Sequence, residues 1–356
     1  MSMLVVLLAL LLLVTCEANA VATPSPQATA AMDVTATATA AGPPAAKATA
    51  ALGTYNNPVY PGDFPDPDVI VVDGTYYAYA TNSDGRNIQV AHSADLVTWE
   101  LLGDALPQLP GWAVQEFGWA WAPDVMAVEQ GYLLYFTARL AMGSGGIQCI
   151  GVATGKAPEG RFAPVGDAPL VCQQDEGGSI DPATFGAGDG SRYLLWKNDG
   201  NSRGGQTWIY IQPLAPDGLS LTGEPVRLLG ADQAWEGGLI EGPTLWEHAG
   251  RTYLFYSANA YDSQRYAVGY AVAEEILGPY EKARGPLLET TLPAAVVGPG
   301  GQDVVMAGDG STWLLFHSWS PREGRHLNLA PLLWQEGVPA VPLSREPQPA
   351  PEARNQ

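Results

Sequence analysis

The 356-residue sequence predicts an all-β protein, a five-bladed β-propeller built from four-stranded antiparallel blades. Three observations lead there. Glycine (41 residues) and proline (30) interrupt the chain too often for long helices and favour short strands joined by turns. A hydrophobic fraction of 46%, with 11 Trp and 15 Tyr, supplies a large core. Finally, a turn residue followed by an aromatic-rich strand recurs five times: Gly74-Thr-Tyr-Tyr-Ala-Tyr79, Gly131-Tyr-Leu-Leu-Tyr-Phe136, Ser191-Arg-Tyr-Leu-Leu-Trp196, Gly250-Arg-Thr-Tyr-Leu-Phe-Tyr256 and Gly310-Ser-Thr-Trp-Leu-Leu-Phe316. The markers Tyr76, Tyr132, Tyr193, Tyr253 and Trp313 lie 56, 61, 60 and 60 residues apart. Four short strands fit such a period, and radial repetition protects their edges.

The chain opens on a different kind of segment. Leu4 to Val14 are all apolar, the length of a signal-peptide hydrophobic region, and Ala18-Asn19-Ala20 offers a small-residue cleavage site. Residues 1–20 therefore read as a signal peptide, although no Lys or Arg precedes Lys47. A second reading is a lipoprotein signal, Leu13-Val14-Thr15 before an acylated Cys16. The product is then secreted, or lipid-anchored at the outer cell surface. Residues 21–54 are nearly all Ala, Thr and Pro, a composition that cannot bury enough apolar surface to fold and reads as a linker. The propeller is placed at 55–343. The proline-rich residues 344–356 read as an unstructured tail. Besides Cys16 there are Cys149 and Cys172, either one disulfide or two buried thiols; their spacing suggests no metal site.

Charge narrows the partners. Lys plus Arg number 17 against 37 Asp plus Glu, a net charge of −20. Nothing gathers phosphates, so nucleic acid and an anionic membrane surface are excluded as partners except through a lipid anchor. No protein partner is inferred.

Stacked without gaps, the segment before each marker strand reads Asp66-Pro-Asp-Val-Ile70, Ala122-Pro-Asp-Val-Met126, Asp181-Pro-Ala-Thr-Phe185, Glu241-Gly-Pro-Thr-Leu245 and Gly301-Gln-Asp-Val-Val305. The first column holds Asp66, Asp181 and Glu241. Equivalent positions in a propeller converge at the axis, so three carboxylates distant in sequence are expected in one funnel. Taken singly, an Asp-Pro is usually a turn. Gathered together, like charges in an enclosed site raise at least one pKa, which suits chemistry needing both a protonated acid and an ionised base. Cleavage of a glycosidic bond is such chemistry; a calcium site is the rival use of grouped oxygens.

At these residues the chain resembles glycoside hydrolase family 43. Phe64-Pro-Asp-Pro-Asp-Val-Ile70, Trp121-Ala-Pro-Asp-Val125, Ser179-Ile-Asp-Pro-Ala-Thr-Phe185 and Ile240-Glu-Gly-Pro-Thr-Leu-Trp246 carry the likeness. So do Ser93-Ala-Asp-Leu-Val-Thr-Trp99, Gly278-Pro-Tyr280 and Phe316-His-Ser-Trp319, in the family's order. The resemblance implies a five-bladed propeller that hydrolyses α-L-arabinofuranosyl or β-D-xylosyl linkages with inversion. It implies Asp66 as general base, Glu241 as general acid, and Asp181 as the residue that orients the acid and raises its pKa. Many members use a fifth-blade histidine to hold an ion on the axis; Gly301 stands there in this chain, with Gln302 beside it. An axial calcium is thus a weak expectation, and the hydrolysis requires no metal or cofactor.

For substrate binding the candidates are Trp121 as a sugar platform, Trp119 beside it, His317 near the axis, and Arg265 with Tyr266 on the fourth blade; core packing is the alternative for both tryptophans. Asp124 and Asp303 read as structural. β-Xylosidases of the family commonly carry a β-sandwich after the propeller, whereas about a dozen residues follow it here, which tilts the expectation toward an exo-acting arabinofuranosidase over an endo-arabinanase or β-xylosidase. Two rivals remain. The related fructan- and sucrose-cleaving propellers show Arg-Asp-Pro and Glu-Cys-Pro, where this chain has Ile180-Asp-Pro182 and Glu241-Gly-Pro243. A non-catalytic carbohydrate-binding propeller would be favoured by loss of an acid, and all three are present.

Overall fold

A computed structural model describes residues 53–351 apart from 142–144, 292–295, 321–323 and 345. The leader (1–20), Cys16 and nearly all of the linker lie outside the described residues. The rest is all-β; its helical content is three single-turn 3₁₀ segments. Five antiparallel sheets follow one another along the chain. Blade 1 comprises Asp68–Val72, Thr75–Ala80, Gln89–Ser93 and Glu100–Asp104; blade 2, Ala120–Val128, Gly131–Arg139, Gln148–Gly155 and Ala163–Val165. Blade 3 comprises Ser179–Gly186, Arg192–Asn198, Trp208–Pro213 and Val226–Gly230; blade 4, Ile240–His248, Arg251–Ala258, Ala267–Ala273 and Glu281–Lys282. Blade 5 has Gly300–Met306, Thr312–Ser320 and Gly324–Pro331. In every blade the strands pair in sequence order. The five aromatic markers all lie in second strands.

These strands are apolar on both faces because both are covered. Side chains alternate across a strand, so Tyr79 packs toward blade 2 with Leu134 and Phe136, while Ala78 and Ala80 face blade 5 with Val305 and Leu315. The same alternation sends Leu254 and Tyr256 toward blade 3, and Tyr253 and Phe255 toward blade 5. The result is a layer of core between each pair of neighbouring blades, five in all among the described residues. At roughly 1.5–3 kcal/mol per fully buried large side chain, the interfaces between blades dominate the stability.

The ring of blades closes on itself. The first strand of blade 5 lies beside that of blade 1. The start of the described chain completes blade 5 from outside: Val59 N–H donates to Leu327 O (2.9 Å), and Leu327 N–H donates to Tyr60 O (3.2 Å). Asn57 acts as a side-chain strand, its Nδ2 donating to Leu329 O and its Oδ1 accepting from Leu329 N–H, both at 2.8 Å. One expectation is corrected here. Part of the stretch read as an unstructured tail is ordered: Gln348–Pro349 pairs with Thr54–Tyr55, and Pro351 is buried. Proline favours extended backbone, and on an edge its missing N–H costs nothing.

Cys149 and Cys172 are joined in a disulfide. It ties the third strand of blade 2 to the segment leading into blade 3.

Candidate active site

Each first strand enters the axis through a kink. The strand bulges between Trp121 and Asp124, Ile180 and Ala183, Glu241 and Thr244, and Gly300 and Asp303. At that kink one residue per blade has a left-handed backbone: Asp66 (φ 52°), Ala122 (42°), Asp181 (54°), Gly242 (56°) and Gly301 (53°). The gapless stack of the sequence is therefore shifted by one in blade 4. Gly242, not Glu241, is the conformational equivalent of Asp66 and Asp181; the φ > 0 position just before Pro67, Pro123, Pro182 and Pro243 sets the register. Glu241 comes one residue earlier and is more deeply buried than the two aspartates.

The kinked N–H groups need acceptors, and the second strand of the preceding blade supplies them. Ala122 N–H donates to Thr81 Oγ1 (2.8 Å), Asp181 N–H to Thr137 Oγ1 (3.1 Å), Gly301 N–H to Ser257 Oγ (2.9 Å) and Asp66 N–H to His317 Nδ1 (3.1 Å). These bonds fix the carboxylates from behind.

The three acids line one cavity of about 540 Å³ together with Trp121, Tyr261 and Arg325. Their surroundings differ. Asp66 accepts from Arg325 Nη1 at 3.1 and 3.3 Å on its two oxygens and from Thr81 Oγ1 at 2.7 Å. Burial works against its ionised form, but Arg325, with His317 and Thr81, outweighs that and holds the carboxyl well below the usual carboxylate range. Asp181 goes the other way: burial, then the negative charge of Glu241, pushes it up to about 7. Glu241 has both oxygens engaged, Oε1 by Tyr266 Oη (3.0 Å) and Oε2 by Lys197 Nζ (2.9 Å). One carboxylate, Asp66, is thus firmly ionised at neutral pH while a second, Asp181, keeps a proton far more readily, the contrast that chemistry needing both a base and an acid requires.

The remaining sequence candidates separate. Trp121 lines the cavity, its Nε1 donating to Gly118 O (3.0 Å). Trp119 stands behind it, ring centroids 5.9 Å apart, with the Arg139 guanidinium over its face. His317 is fully buried and contributes through Asp66, its ring stacked on Tyr266 and burial holding the imidazole below its usual pKa. Arg265 is exposed and outside the cavity wall; its neighbour Tyr266 is the residue that reaches Glu241. Sequence reasoning missed Arg325, Thr81 and Lys197. For Thr81 and Lys197 a signal existed, since Thr81, Thr137, Lys197, Ser257 and His317 recur at 56, 60, 60 and 60 residues, within one residue of the marker spacing. Arg325 carries no such signal.

Below the acids lies a belt of Asp68, Asp124 and Asp303, each accepting at Oδ2 from a backbone N–H of the next blade: Val125 (2.9 Å), Thr184 (2.8 Å) and Val69 (2.9 Å). Asp124 and Asp303 thus act as inter-blade ties. Among the described residues no group of three histidine, cysteine or acidic side chains is arranged to hold a metal ion.

The model of the glycosyl hydrolases family 43 matches residues 55–339. A putative β-xylosidase of Xylanibacter ruminicola is 28% identical over 293 residues, 81% of this chain and 50% of that protein. An α-L-arabinofuranosidase of Humicola insolens is 26% identical over 325 residues, 80% of this chain and 63% of the relative. The chain thus spans about half the length of the first of these. Among solved structures, a thermostable family-43 glycoside hydrolase matches with 33% identity and a TM-score of 0.76, over 84% of this chain and 99% of that one.

Proposed function

Because the chain belongs to glycosyl hydrolases family 43, we propose that it is an exported inverting glycosidase that releases α-L-arabinofuranosyl units from arabinan or arabinoxylan. The observation that carries the reading is the unequal surroundings of three acids on one cavity: Asp66 is gripped on both oxygens by Arg325, while Asp181, raised by burial and then by the charge of Glu241, has no such cation on its oxygens among the described residues. In the reaction, Asp66 takes a proton from water as the water oxygen attacks the anomeric carbon. The glycosidic C–O bond breaks, and its oxygen receives the proton of Glu241. Between turnovers Asp66 releases its proton to water and Glu241 regains one from water, with Asp181 beside it as the neighbouring charge that favours the protonated form. Trp121 offers a ring face to sugar C–H bonds on the cavity wall.

Export is supported by the apolar Leu4–Val14 segment and by the Cys149–Cys172 disulfide, which suits an oxidising compartment. The arabinose preference is supported by the relative named as an α-L-arabinofuranosidase. A β-D-xylosidase is the second reading, favoured by the name of the Xylanibacter ruminicola relative.

The test is hydrolysis of aryl α-L-arabinofuranoside, aryl β-D-xyloside, linear arabinan and arabinoxylan, with the product anomer followed by NMR. Wild type is expected to release arabinose with inverted configuration, and Glu241→Gln to lose roughly 10²–10⁴-fold in kcat on substrates with poor leaving groups. Turnover of none of the four, with glycan binding unchanged by the substitution, would make the protein a binding module instead.

A further inference from the structure

The ring of acceptors behind the left-handed residues has one exception. Thr81, Thr137, Ser257 and His317 each present a lone pair to the next blade. The corresponding side chain of blade 3 is Lys197, whose ammonium has only N–H to give. The N–H of Gly242 therefore goes elsewhere, to Asp181 Oδ2 at 2.9 Å. Lys197, 1% exposed, spends its charge on Glu241 Oε2 at 2.9 Å and on Asp199 Oδ1 at 3.5 Å.

We propose that Lys197 is a positioning residue for the acid step: it refuses the Gly242 N–H, so that Asp181 is drawn across to the strand that carries Glu241, and it holds Glu241 by Oε2. This rests on the glycosidase reading above. The groups around the pair are Lys197 and Asp199 from blade 3, Tyr266 from blade 4, Asp66 from blade 1 and His317 from blade 5, with Arg325 of blade 5 held beyond them on Asp66. Burial alone would push the ammonium down, but Glu241, Asp181 and Asp199 together hold Lys197 above the ordinary lysine value, so the cation persists across the working range. A cation in contact favours the carboxylate form of the Asp181–Glu241 pair. It therefore limits how far into alkaline solution the pair keeps its proton.

The sign of the test follows. The acid acts while protonated, so activity falls on the basic side of the rate profile. Replacing the cation lets the pair keep its proton longer, and that limb moves to higher pH. Lys197→Ser reproduces the acceptor that Ser257 provides in blade 4; Lys197→Gln is the second variant, closer in size and still a donor to Glu241. The expected result is a basic limb of kcat/KM raised by about one pH unit or more, with the acidic limb in place. The carboxyl titration of the pair, read by ¹³C NMR in wild type and in whichever variant melts cooperatively, should move up by a similar amount. That measurement needs no turnover, so an inactive wild type would defeat the glycosidase reading while the effect of Lys197 on the titration of the pair is still read separately. A folded variant whose pair titrates where the wild type does would overturn the inference and leave Lys197 a core cation only.

Discussion

At the scale of single residues, the site is decided by what each carboxylate touches. Asp66 and Asp181 share a backbone conformation, a position before proline and a place at the axis, yet their protonation differs because one meets Arg325 and the other meets Glu241. Replacing Arg325 tests this. A general base works only while ionised, so its activity is lost as pH falls through its pKa. Without the guanidinium that pKa rises, and the acidic limb should shift upward. For Arg325→Met we expect a shift of about one pH unit or more in kcat/KM, measured over roughly pH 3–8, with the basic limb unmoved. An acidic limb that stays in place would show that Thr81 and His317 suffice.

At the scale of the strand, the kink is the functional element. A left-handed Asp or Ala costs roughly 1–2 kcal/mol relative to ordinary backbone, and at Asp66, Ala122 and Asp181 the kinked N–H donates to a side chain of the preceding blade, which offsets this. Thr137 does so for Asp181 while fully buried. Thr137→Val keeps the shape and removes the acceptor, leaving a buried N–H unpaired. The expected loss is about 1–3 kcal/mol of unfolding free energy in urea, with a fall in kcat as Asp181 is released from its backing. Thr137→Ser, which retains the hydroxyl, should recover most of the kcat. Equal kcat values for the Val and Ser variants would detach the kink from catalysis.

For the whole molecule, the axis concentrates charge that the fold must neutralise. Burial raises Asp124 to about 6 and Asp303 to about 7; Asp68 is also raised, by burial and then by its two neighbours in the belt. A carboxyl with a raised folded-state pKa contributes stability that is complete below about pH 4 and lost as pH rises through that pKa, since the unfolded chain releases its proton first. The propeller should therefore lose stability between about pH 4 and 7. Asp124→Asn keeps an acceptor for Thr184 N–H and places an amide where Oδ1 now has no partner. Thermal melts should show the variant more stable than wild type at about pH 8, by about 1–3 kcal/mol, and little different near pH 4. A lower melting temperature at pH 8 would mean that the belt depends on its negative charge.

The period of Tyr76, Tyr132, Tyr193, Tyr253 and Trp313 was enough to count the blades, because a strand buried on both faces must be written in apolar residues and a closed ring must repeat them. The same period brought Asp66, Asp181 and Glu241 to one axis, since equivalent strand starts converge whatever the loops between them do. It did not reveal that Glu241 stands one residue out of line. The bulge occupies the same place in blades 2 to 5, and its left-handed position, which in blades 1 to 4 directly precedes a proline, falls in blade 4 on Gly242. Arg325, reaching Asp66 from the third strand of the fifth blade, was invisible for another reason: it belongs to no repeated column. Local sequence reports periodicity and turn chemistry well, because those follow from backbone sterics and solvent exclusion within a few residues. Which cation faces which carboxylate depends on chain segments about 40 to 260 residues apart meeting at the axis, as Lys197–Glu241 and Arg325–Asp66 do. Protonation follows that meeting, and with it the division into base and proton donor that we propose for the acids.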